Sequence, residues 1–129
     1  MKPITAEWVQ KAEGDYATLL REARARKNPN YDGACFHAQQ CAEKYFKARL
    51  CEADVKFFKV HDLVALLDLV LSLEPGWGAF RKNLAYLNAF AVSFRYPGEQ
   101  ADKGTAADAR KLCQAFRQAA RAALRLQTE

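Results

Sequence analysis

His37, Gln40, Lys44 and Lys47 follow one another at spacings of three and four residues, which on an α-helix places them on one strip. An imidazole, an amide and an ammonium in such a row can bind a phosphate or a base edge. A solvated polar helix face accounts for the same residues without any ligand. His37 and Cys41 have the i, i+4 spacing of a metal pair, but no third donor stands beside them, so neither a metal nor a cofactor is expected. His61, next to Asp62, reads either as the neighbour of a helix cap or as an imidazole holding the Tyr96-Pro97 loop. Arg95 has two readings as well, a cation on the last carbonyls of a helix or a phosphate ligand. Tyr31, Tyr45 and Tyr96 are the tyrosines best placed to stack a base.

The elements that must position these groups are all helical. Helix one begins at Thr5, read as its N-cap, and carries Trp8, Ala12, Leu19 and Ala23 at helical spacing to about Arg26, where Asn28-Pro29-Asn30 breaks it. Asp32 is the expected cap of helix two, which runs to about Cys51 with Cys35, Ala38, Ala42, Tyr45, Phe46 and Leu50 on one broad apolar arc. Small residues on its flank, Ala34, Cys41 and Ala48, allow another helix close, as in a central bundle helix. Gln39 and Arg49 fall inside the arc, where each needs a partner. Two arrangements satisfy them: Gln39 bonded to nearby backbone with Arg49 reaching the surface, or both facing a dimer contact or a shallow polar pocket.

Residues 52–60 show no sustained period and read as a connection, with Val55, Phe57 and Phe58 folding back on the core. Asp62 caps helix three, whose apolar face is Leu63, Leu66, Leu67, Val70 and Leu73, before Glu74-Pro75-Gly76 ends it. Helix four carries Phe80, Leu84, Leu87, Ala91 and Phe94, and Pro97-Gly98 limits it. Thr105 is read as the cap of helix five, whose Arg110, Lys111, Arg117, Arg121 and Arg125 form a basic stripe. That stripe is either a solvated face or a contact with nucleic acid or an acidic partner. Short connections favour antiparallel neighbours, so the fold expected is all-α, an antiparallel up-and-down bundle of about five helices.

At 129 residues the chain fits one domain, residues 1–129. Half of it is hydrophobic and 27% is charged, an ordinary globular composition that argues against disorder. No apolar run approaches the roughly 20 residues that cross a bilayer, and the N-terminus has no signal-peptide pattern, so a cytoplasmic protein without membrane contact is expected. Cys35, Cys41, Cys51 and Cys113 form no C-x-x-C pair and read as buried free thiols. The net charge of +5 permits a phosphate-bearing partner without requiring one.

Taken in order, Tyr31-Asp32, the run from Phe36 to Lys44, His61-Asp62-Leu63 and Phe94-Arg95-Tyr96-Pro97-Gly98 resemble the HEPN family, the higher eukaryotes and prokaryotes nucleotide-binding domain. The resemblance spans residues 8 to about 120. It implies a bundle of four or five helices, commonly a homodimer, in prokaryotes often encoded beside a small nucleotidyltransferase as a toxin–antitoxin pair.

Many members of that family are metal-independent ribonucleases with an Arg and a His separated by four to six intervening residues. In that chemistry the His serves as acid or base toward the ribose 2′-hydroxyl, and the Arg stabilises charge on the phosphate. Arg95 stands where the motif's Arg belongs, yet residues 96–102 contain no His, and neither His37 nor His61 follows an Arg at the required interval. The expectation is therefore a non-catalytic module that binds a nucleotide, RNA or a nucleotidyltransferase partner through His37, Gln40, Lys44, His61, Arg95 and Tyr96. A ribonuclease toxin with a degenerate motif and a purely structural dimeric partner are the alternatives.

Overall fold

A computed structural model describes all 129 residues and contains no strand. The helices are α1 (Pro3–Arg24), α2 (Tyr31–Glu52), α3 (Leu63–Val70), α4 (Arg81–Asn88) and α5 (Lys103–Ala123). Short 3-10 stretches, Pro75–Phe80 and Ala89–Ala91, flank α4. The expected all-α bundle is thus observed. Helix α2 is its axis: α1 lies along it, α5 packs beside both, and the shorter α3 and α4 cover the remaining side. No helix is long and apolar enough to cross a membrane.

The buried apolar residues form one cluster, to which α2 contributes Cys35, Ala38, Cys41, Ala42, Tyr45, Phe46, Ala48 and Leu50. Phe46 and Phe116 lie 4.6 Å apart between ring centroids, and Trp77 and Phe80 from the first 3-10 stretch meet Phe116 edge-on at 5.1 and 5.5 Å. These edge-to-face pairs close the core between α2 and α5. Pro75 suits the first turn of that 3-10 stretch because its missing N–H would have had no partner there.

The helix starts differ from expectation in three places. Helix α1 begins at Pro3 with Lys2 as N-cap, and Thr5, read as the cap, is buried within the first turn. The cap of α2 is Asn30, whose Oδ1 accepts from Gly33 N at 2.8 Å. Asp32 instead accepts from the Ala101 N–H at 2.7 Å, tying the start of α2 to the approach of α5. Helix α5 starts at Lys103, capped by Asp102, whose carboxylate accepts from both Thr105 N and Thr105 Oγ1. For α2 and α5 an acceptor slightly upstream reached the free N–H groups first, and spacing alone does not rank such competitors; α1 starts at Pro3 with no side-chain cap. Asp62 caps α3 as expected, accepting from Val64 N and Ala65 N, while Asn88 Oδ1 takes the Leu63 N–H at 2.9 Å.

Helix four, read as continuous from Phe80 to Phe94, is broken into α4 and a 3-10 turn, with Phe94 at φ +66°. Helix α2 ends with Asp54 at φ +58°, Asp54 N donating to Cys51 O and Val55 N donating to Leu50 O. That paired closure turns the chain back over the core.

Much of the charge between helices is internal. Arg117, buried on α5, donates twice to Glu13 of α1, at 2.8 and 2.6 Å, and stacks over Tyr16 at 4.2 Å. Tyr45 Oη donates to Glu13 and accepts from Arg121. The basic stripe expected on helix five is therefore interrupted, because two of its arginines face inward to a carboxylate. Arg49 pairs with Glu74 at 2.8 Å, so its partner is neither solvent nor a dimer.

Replacing Arg117 by Ala takes from the half-buried Glu13 carboxylate its two strongest hydrogen bonds and is expected to lower stability by about 2–3 kcal/mol. Arg81→Ala removes an exposed pair with Asp68 and should cost under about 1 kcal/mol. Urea denaturation checks both; equal shifts in midpoint would contradict the internal role of Arg117.

Candidate functional site

The expected polar strip of α2 is not a free surface. Helix α1 covers it, and Asp15, only 8% exposed, stands between two of its residues. Asp15 Oδ1 accepts from His37 Nδ1 at 2.7 Å, and its Oδ2 accepts from Lys44 Nζ at 2.5 Å. His37 and Lys44 are thus brought together as anticipated, but around a carboxylate that bonds to both rather than around open space. Gln40 Nε2 donates to Gln39 Oε1 at 2.7 Å, and Gln39 Nε2 donates to Glu43 Oε1 at 3.3 Å. Gln39, fully buried, therefore finds side-chain partners and not backbone.

Glu43 is the hub of this end of the helix. Its Oε2 accepts from Lys47 Nζ at 2.8 Å and lies 3.1 Å from His61 Nδ1. Lys47, 5% exposed, is further enclosed by the rings of Trp8 and Phe57 at 5.4 and 5.7 Å from their centroids. Burial, the largest single influence, pushes the Glu43 carboxyl up; hydrogen bonds from Lys47, His61 and Gln39 and the charge of Lys47 together outweigh it, leaving it below the ordinary value of 4.5. His61 is bonded here, on the far side of α3's start, rather than to the Tyr96-Pro97 loop.

Arg95 and Tyr96 stand apart from this group. The guanidinium of Arg95 turns back to donate to Ala91 O at 2.8 Å, the helix-terminal role, and Tyr96 is 69% exposed. The six candidate residues accordingly divide among three places, and only His61 borders an open cavity.

That cavity is a groove of about 810 Å³ formed by the first turn of α1, the end of α2 and the strap of residues 54–61. Four lysines line it, Lys2, Lys47, Lys56 and Lys59, together with His61. The single carboxylate in the lining, Asp54, is already paired with Lys2. Ile4, Val55 and Phe57 form an apolar floor, and Phe57 meets Trp8 edge-on at 6.0 Å. Phe58, expected to fold back on the core, is instead 84% exposed at the rim, with Lys59 Nζ 5.3 Å from its ring centroid. Lys59 itself sits at φ +52°, an uncommon conformation for a side-chain-bearing residue. Cys51 borders the groove as the one cysteine that is not fully buried; Cys35, Cys41 and Cys113 are buried free thiols as expected.

Sequence reasoning passed over Lys56 and Lys59. The signal that marks them is the run Lys56-Phe57-Phe58-Lys59 followed by His61, basic and aromatic residues interleaved in an irregular connection.

A five-helix bundle with α2 at its axis and the segments around His37, His61 and Arg95 in this order is a HEPN fold. The family model for the HEPN domain matches residues 5–123, and the chain belongs to that family. Its class is thereby that of nucleotide- and RNA-related helical modules. No curated protein and no solved structure gives a significant match.

The Glu43 cluster has a pH signature. With its carboxyl held below 4.5 in the folded state, the unfolded chain takes up that proton first as pH falls. Glu43 thus contributes stability that is present above the ordinary carboxylate range and lost in acid. The difference in Tm between the native protein and Glu43→Gln is expected to be largest near neutrality and to shrink as pH falls below 4.5. A pH-independent difference would contradict the arrangement.

Proposed function

We propose that this protein is a non-catalytic HEPN-type module that binds a nucleotide or RNA phosphate in the groove beside His61. The observation that carries this reading is the charge left over in the groove: Lys2 and Lys47 are paired with Asp54 and Glu43, whereas Lys56 and Lys59 line it, exposed and without a carboxylate partner. Lysine ammonium groups meet phosphate as point charges, and an exposed phenyl ring offers a face to a base. Lys47 is enclosed and holds the floor, so contact with a phosphate falls to Lys56, Lys59 and His61 on the strap.

His37, Gln40 and Lys44 act in this reading as the packing that fixes α2 against α1, and Arg95 as a helix-terminal cation. The lack of a His in residues 96–102, and the commitment of Arg95 to a backbone carbonyl, weigh against ribonuclease chemistry. Self-association and pairing with a small nucleotidyltransferase belong to the same proposal. Tyr86 and Val92, exposed beside the Phe90 and Phe94 rings, supply an apolar surface for a second copy.

Binding of nucleotide or short RNA at low salt is expected to fall at least about tenfold in the Lys56→Glu, Lys59→Glu double variant, with the Tm unchanged because both residues are exposed. Bound ligand should also slow alkylation of Cys51, which borders the groove. Metal-independent RNA cleavage that Arg95→Ala abolishes would overturn the non-catalytic reading. Analytical ultracentrifugation at micromolar concentration tests self-association: a dimer is expected, and Val92→Lys should shift it toward monomer.

A further inference from the structure

Resting on the nucleotide reading, we infer that the groove takes one nucleotide unit at a time and takes it without regard to the identity of the base. Three features of the lining lead there. The first is its size, about 810 Å³, which is that of a small-molecule cleft and not of a channel.

The second is the number of free aromatic faces. Phe57 is engaged by the edge of Trp8 and the ammonium of Lys47. Phe58 alone is open, with Lys59 near its ring and the rest in solvent. Surfaces that hold runs of single strand present successive rings along a basic track. Here one ring serves one base, and the free cations Lys56 and Lys59 sit within four residues of each other around it, with the exposed imidazole of His61 beside them.

The third is what the lining lacks. A site that distinguishes bases does so by hydrogen bonds to their edges from groups held in fixed geometry, such as amides, hydroxyls, guanidinium groups, carboxylates or anchored ammonium groups. The exposed Lys56 and Lys59 have no partner that anchors them. No Asn, Gln, Ser, Thr, Tyr or Arg lines the groove. Of its two remaining polar side chains, the Asp54 carboxylate is paired with Lys2, and the Cys51 thiol is only a weak hydrogen-bonding group. What the groove offers a ligand is a π-face and positive charge, and every nucleotide has the complement of both.

Isothermal titration of the full chain at low salt with AMP, GMP, CMP and UMP tests this, alongside ribose 5-phosphate and the octanucleotide A8. The four nucleotides should bind within about fivefold of one another, and ribose 5-phosphate, which cannot stack, about tenfold more weakly than AMP. Phe58→Ala should bring AMP down to the level of ribose 5-phosphate while leaving the Tm unchanged, since the ring is exposed. A8 should bind no more than a few-fold more tightly than AMP. A base preference above about tenfold, or AMP binding indifferent to Phe58→Ala, would overturn the inference. Tight A8 binding with no AMP binding would overturn it while leaving the RNA reading intact. If neither the mononucleotides nor A8 binds, both the inference and the reading beneath it fail.

Discussion

Helix α1 lies along the face of α2 that carries its polar side chains, so each cation on that face must meet a carboxylate inside the protein. Three carboxylates meet the demand. Asp15 holds His37 and Lys44, Glu43 holds Lys47 and His61, and Glu13 holds Arg117 with Arg121 nearby. These links tie α1 to α2, α2 to the strap, and α1 to α5. Sliding α1 by one helical turn, about 5.4 Å, would separate the pairs at Glu13 and Asp15 together and leave charges buried without partners. The apolar core alone would resist such a slip much less, because Ala, Cys and Leu faces offer similar packing at successive turns.

The same pairing decides where positive charge remains for a ligand. Inside the bundle it is spent on internal carboxylates, which is why the polar strip of α2 faces Asp15 and Glu43 instead of solvent. On the strap after α2 it is not, since Lys56 and Lys59 project from a connection that no helix covers. The left-handed residues Asp54 and Lys59 let the strap leave α2 sharply and curl toward Ile4, and the groove is the space so enclosed. The buried Glu43 and Lys47, with the partly buried Trp8 and Phe57, support a solvent-facing rim of cations and one phenyl ring.

Several parts of this arrangement were legible in residue order because they depend on local or periodic properties. The apolar arc of α2, the Asp62 cap, the breaks at Pro29 and Pro97, and the absence of a His after Arg95 are of that kind. The segments around His37, His61 and Arg95 likewise carried the family resemblance through short, ordered patterns. Less legible were the capping contests at Asn30 and Asp102, where two acceptors lie within a few residues and only the backbone path selects one. The exposure of Phe58 was misread because a Phe in a connection next to Phe57 has no period to say which ring turns inward.

By itself, the sequence determined that this protein is an all-helical bundle with a nearly enclosed second helix and without the Arg–His spacing of the family's ribonucleases. Those properties follow from side-chain period, helix punctuation and a motif read along one strand of text. Only the tertiary structure decided that Asp15, Glu13 and Glu43 consume the conspicuous cations and that a basic, aromatic groove opens beside His61. Pairing between residues as far apart as Glu13 and Arg117 depends on how helices pack, and periodicity within one helix carries no record of its neighbour's charges.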